Sequence, residues 1–235
     1  MDKKYNFQDL TNIIEELRSE HGCPWDRAQT HKSLMPYMTE ESAEVLAAIR
    51  IFSKTGDFDN LKEELGDVLL QVMLHSQIAK EENHFTIDDV IGGISQKMIR
   101  RHPHVFGNLE AESSQQALKN WEEIKKEEKQ EKNLRVSDLR EIPIEFPALL
   151  RGQKVLTNIN KSYEPVNNLT ESIQSIETQL GVLKQLDKAE DFSEVKIRVG
   201  QLLLECSNIA RVCKLNPEQV LQDRIEEEIE RFEQA

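Results

Sequence analysis

Leu10, Ile13, Ile14 and Leu17 recur at helical spacing within residues 7–19. That period lays one apolar stripe along a helix and predicts an amphipathic first element. His21-Gly22 is a usual stop, and a loop is predicted from Gly22 through Cys23-Pro24-Trp25-Asp26 to about Met35-Pro36. A second helix is predicted from about Pro36 to Ser53, with Leu46 and Ile49 inward. Thr55-Gly56-Asp57 breaks the pattern. A third helix then runs from near Asp57 to about Glu82, through Leu61, Leu65, Val68, Leu69, Val72 and Ile78. From Val68 to Leu74 it is apolar nearly all round, which predicts a central place in a bundle or a dimer. Thr86, an N-cap with Asp88 and Asp89 behind it, opens a fourth helix carrying Val90, Ile91, Ile94, Met98 and Ile99. That helix ends at Arg100-Arg101-His102-Pro103.

Between Asn108 and about Arg140 the chain has too little apolar surface for a core of its own, and it reads as a solvated helix or linker. Trp121 stands out there, because a Trp in a polar stretch usually covers something. Four further helical segments follow, at Pro147 to Ile159, Leu169 to Leu186, Phe192 to Cys213 and Pro217 to Phe232. Gly200-Gln201-Leu202-Leu203-Leu204 lines up with Gly66-Asp67-Val68-Leu69-Leu70, and Arg231 falls opposite Arg101. The second half therefore reads as a repeat of the first, with a short deletion. The expected fold is all-α: tandem four-helix units packed as a dimer. The expected divisions are 1–107, a charged linker at 108–140, and a degenerate second copy at 141–235.

Composition narrows the function classes. Lys and Arg number 30 against 43 Asp and Glu, a net charge of −13, which argues against nucleic acid or an anionic membrane as the main partner. No apolar run reaches membrane-spanning length and Met1-Asp2-Lys3-Lys4-Tyr5 leads into no signal-peptide core, so the cytoplasm is the expected location. Cys206 and Cys213 lie seven apart on one predicted helix, roughly 10 Å along its axis and too far for a disulfide. Cys23 has His21 and His31 nearby without CxxC or HxxxH spacing, so a free or buried thiol is expected there.

The candidate chemistry lies in two acidic pairs, Glu41-x-x-Glu44 and Glu64-x-x-Asp67, on either side of the Gly56 break. Residues three apart share a helix face, so antiparallel helices would bring four carboxylates together. Four anions at one point repel unless a cation sits among them, and an all-oxygen set suits Mg2+. The bland reading stays beside this one, since paired acids are common on solvated faces. Opposite the four carboxylates, the second copy has Glu171, Gln174, Arg198 and Gln201, and Glu227 stands opposite Lys97. A set with an arginine and two amides cannot hold such an ion, so the first copy is the expected site. Lys97 and Arg101, four apart with Arg100 beside them, could bind a polyphosphate or simply complement the dipole at a helix end. No Walker A, GxGxxG or GxSxG motif occurs.

These blocks together carry a resemblance. Cys23-Pro24-Trp25-Asp26, Gln29-Thr30-His31, Glu40-Glu41-x-x-Glu44, Glu64-Leu65-Gly66-Asp67, Arg100-Arg101-His102-Pro103-His104-Val105-Phe106 and Asn120-Trp121-Glu122 resemble the MazG family, over about residues 5–130 and more weakly beyond. The resemblance implies an all-α, dimeric, Mg2+-dependent nucleoside triphosphate pyrophosphohydrolase, with Mn2+ as a substitute ion. Such an enzyme converts NTPs and dNTPs to the monophosphate and diphosphate as a house-cleaning activity. It implies Glu41, Glu44, Glu64 and Asp67 as metal ligands, Lys97, Arg100 and Arg101 as triphosphate contacts, and Trp121 near the nucleotide. The rival class is a non-catalytic helical module for nucleotide sensing or protein contacts, which the degenerate second copy favours.

Overall fold

The computed structural model describes residues 3–131, 139–186 and 191–233, all of whose regular elements are helical. The chain divides at Ile124–Lys125 into two units. The first contains α1 (Phe7–Arg18), α2 (Pro24–Ala28), α3 (His31–Thr55), α4 (Asp59–Glu81), α5 (Ile87–Arg101) and α6 (Pro103–Phe106). It also holds the first part of α7 (Ser114–Glu131). The second contains a 3-10 turn at Leu139–Glu141, then α8 (Ala148–Ser162), α9 (Leu169–Leu183), α10 (Phe192–Val212) and α11 (Pro217–Glu233).

Side-chain caps fix several helix starts. Asn6 with Asp9, Thr30 with Ser33, Thr86 with Asp89, and Asn168 with Glu171 each form a reciprocal capping box. The Thr30 box sets one boundary that differs from the sequence expectation. Pro36 was expected to open the helix, whereas α3 already starts at His31 and carries Pro36 inside it. The expected loop is also partly helical, because Pro24 begins the short α2. Gly56 ends α3 in the left-handed region (φ 77°), and its N–H bonds back to the Phe52 carbonyl at 2.8 Å. The chain thus reverses at the expected turn, and α3 and α4 pack against each other.

In the first unit α4 also packs against α1 and α5. Ile14, Leu34, Met73, Leu74 and Ile78 form the core, with Leu10, Leu17, Leu70 and Ile87 against it. Each such side chain contributes about 1.5–3 kcal/mol of apolar burial. Leu46 and Ile49 are not inward as expected; they are 63% and 43% exposed. A period of 3.6 identifies an apolar face without saying which body covers it.

Arg18 locks one end of this unit. Its nearly buried guanidinium bonds Glu81 at 2.7 Å and the backbone carbonyls of Asp26 and Gln29, tying α1, the α2 turn and the end of α4. The Arg18 bonds, foremost among several causes, hold the Glu81 carboxyl below its usual range. In the second unit α10 packs on α8, α9 and α11. The cysteines Cys23, Cys206 and Cys213 are free thiols.

Candidate active site

Glu41 lies in the middle of α3, about two helical turns before the core residue Ala48. Glu64 and Asp67 lie in the second and third turns of α4. Because the Gly56 reversal sets α3 and α4 antiparallel, those two stretches meet. One carboxylate oxygen from each of Glu41, Glu64 and Asp67 lies within 4.8 Å of the others, and all three residues are half-buried. No other group of three or more His, Cys, Asp or Glu is this tight among the described residues. Glu44 is exposed, outside that trio yet within hydrogen-bonding reach of both Glu41 and Glu64.

The electrostatics record the crowding. Burial, then the charges of Asp67 and Glu44, push the Glu41 carboxyl above its usual value. Burial, then Glu44 and Asp67, do the same to Glu64. Groups that resist losing their protons this way are short of a counter-charge. The donor set is carboxylate oxygen throughout, which fits a hard divalent cation better than a soft one.

The basic candidates sit on α5, which packs against α4. Lys97 and Arg100 are exposed, and Arg101 is half-buried with its guanidinium 5.3 Å from the centre of the Trp121 ring. Trp121 therefore covers Arg101, a cation–π contact from α7 back to α5.

Two features of the α3–α4 seam escaped the sequence reading. His31 and His75 stack with ring centres 5.0 Å apart, nearly parallel at 3°, and their Nδ1 atoms lie 2.7 Å apart. Burial, then His31, holds His75 below its usual value. One turn beyond Asp67, Gln71 is 5% exposed, and its Oε1 accepts no hydrogen bond. The signal was available: Glu64, Asp67, Gln71 and His75 are spaced 3, 4 and 4, a single stripe along α4.

In the register that the repeat sets, the corresponding residues of the second unit are engaged elsewhere. Glu171 is spent on capping α9, Arg198 bonds Gln179 at 2.9 Å and also pairs with Glu194, and Gln201 donates to Glu205 at 3.1 Å.

A family model described as the MazG nucleotide pyrophosphohydrolase domain matches residues 29–106. A Thermotoga maritima protein named "Nucleoside triphosphate pyrophosphohydrolase/pyrophosphatase MazG" is 41% identical over 227 residues, spanning 96% of this chain and 84% of its own. This chain belongs to the MazG family. A second member, an Escherichia coli K12 protein named "Nucleoside triphosphate pyrophosphohydrolase", is 37% identical over 231 residues, 96% of this chain and 85% of its own. The uncharacterised YabN of Bacillus subtilis is 41% identical over 218 residues, 92% of this chain but 43% of its own. The MazG match contains Glu41, Glu44, Glu64, Asp67, Lys97, Arg100 and Arg101, and ends before Trp121 and the whole second unit.

Proposed function

We propose that this chain is a nucleoside triphosphate pyrophosphohydrolase, hydrolysing NTPs and dNTPs to the monophosphate and diphosphate to clear the nucleotide pool. The observation that carries the reading is the convergence of Glu41, Glu64 and Asp67 inside the region matching the MazG domain. The ligands are Glu41, Glu44, Glu64 and Asp67, and the ion is Mg2+, with Mn2+ able to replace it. Membership of the family and the names of its relatives support the substrate class.

When bound, the cation neutralises phosphate charge and polarises the attacking water. Water attacks the α-phosphorus, the bond to the bridging oxygen of the β-phosphate breaks, and diphosphate leaves. Glu41 and Glu64, whose carboxyls lie above their usual values, would have to be ionised to serve as ligands. Glu40 and Glu63, exposed and each four residues from a proposed ligand, are the candidates to accept the proton from water. Lys97, Arg100 and Arg101 offset the charge of the departing diphosphate, and Trp121 holds the Arg101 guanidinium and lies near the nucleotide.

A homodimer in the cytoplasm acting on nucleotides rather than nucleic acid completes the proposal. The charge of −13 supports that partner choice, and no helix among the described residues is long and apolar enough to cross a membrane. Exposed Leu46, Leu65 and Ile94, at 63%, 53% and 46%, support a second copy as their cover. Phosphorus NMR of the reaction products tests the chemistry. Monophosphate with diphosphate is the expected pair; nucleoside diphosphate with orthophosphate would place the attack at the γ-phosphorus and sink the proposal.

A further inference from the structure

The second unit has a cavity of about 210 Å³ between α8, the loop at 164–167 and α10. Leu156, Ile159 and Val166 give it apolar walls, and Glu164, Gln201 and Glu205 give it polar ones. Gln201 and Glu205 line it from α10, and the repeat register sets them opposite Asp67 and Gln71.

Glu205 is the unusual group. It is 6% exposed, and Glu is almost never buried this far without a partner. Its Oε1 accepts from Asn167 Nδ2 at 3.3 Å and from Gln201 Nε2 at 3.1 Å, both neutral amides. No ion pair to Glu205 forms among the described residues, and no Lys or Arg lines the cavity. The surrounding groups are already matched. Asn208 donates to the Asn167 carbonyl at 2.8 Å and to Ser172 Oγ at 2.7 Å, while Arg211 bonds Asn208 at 2.8 Å. The frame is thus satisfied, and the buried carboxylate at its centre is met by neutral amides with no ion-pair partner among the described residues.

We propose that the second unit binds a small organic cation, an ammonium or guanidinium head on a short apolar body, with Glu205 as its counter-ion. A nucleotide would set phosphate against Glu164 and Glu205 with no lining cation to receive it. An uncharged nucleobase would leave the buried carboxylate without a counter-charge. A bare metal ion would find one deeply buried carboxylate, already bonded to two amides, rather than a cage of free oxygen ligands. The site depends on the second unit alone and stands or falls apart from hydrolysis.

The test is calorimetric titration of the full chain, in EDTA, with putrescine and agmatine, and with cytidine and guanosine as uncharged probes. At least one amine should bind with Kd below about 1 mM. Glu205→Gln should weaken it by about tenfold or more, and Asp67→Asn should leave it unchanged. Should Glu205→Gln fail to fold by circular dichroism, Ile159→Trp fills the cavity and should abolish binding. An amine-induced rise in the melting temperature of the wild-type chain is the second readout. Three results overturn the proposal: no amine binding with Kd below ~1 mM, binding that survives these second-unit variants, or nucleosides binding in the amines' place.

Discussion

Glu41 and Glu64 each hold a proton more tightly in the folded chain than in the unfolded one, where the value is near 4.5. Without metal, the native state therefore binds more protons than the unfolded state above that value, and stability falls as pH rises through the window up to the raised pKa. Glu41→Gln removes one of these groups, so in EDTA at about pH 7 the variant should melt higher than wild type, the gap closing below about pH 4. Adding Mg2+ should reverse the order, because the ion stabilises the state that binds it. Melting curves at both pH values check this, and a variant that melts lower in EDTA at neutral pH would contradict it. At this scale the acidic pairs were legible because residues three apart must share a helix face. The His31–His75 contact was not, since it joins residues 44 apart through the register of two helices. Glu44 was expected to stand equal with the other three carboxylates, and it sits at the edge of their cluster.

Helix boundaries follow local chemistry, and most could be read from it. Thr86 and Gly56 mark a start and a stop that need only nearby atoms. The start of α3 was missed because Pro36 reads as a boundary, while the Thr30–Ser33 box that overrides it carries a weaker signal. Two glycines are fixed by space and conformation. A Cβ on Gly22 would run into the carbonyls of Glu16 and Leu17, and Gly56 has the left-handed φ of 77°. Gly56→Ala should cost about 1 kcal/mol through that conformation alone. Gly22→Ala should cost more, because backbone must shift where α1 ends. Urea unfolding of the two variants checks the order; equal midpoints with wild type would contradict both assignments.

For the whole molecule, apolar periodicity gave the helices and their order but not their cover. Leu46 and Ile49 keep helical spacing yet face outward, so neighbouring bodies rather than sequence decide what is core. If a second copy covers that surface, Leu65→Lys should shift the chain from dimer to monomer in sedimentation, and an unchanged dimer would place the interface elsewhere. Arg198 and Gln201, which the repeat register sets opposite Glu64 and Asp67, cannot join an anionic ligand set. In the proposed function the carboxylate cluster of the first unit performs the chemistry. The most direct test is diphosphate release from a panel of NTPs and dNTPs, with Mg2+ and with EDTA, comparing wild type with Glu44→Gln and Asp67→Asn. Mg2+-dependent release by wild type, lowered by about a hundredfold or more in Asp67→Asn and strongly in Glu44→Gln while both stay folded, is the predicted result. Release at the wild-type rate by both variants, or none from any nucleotide by wild type, would contradict it.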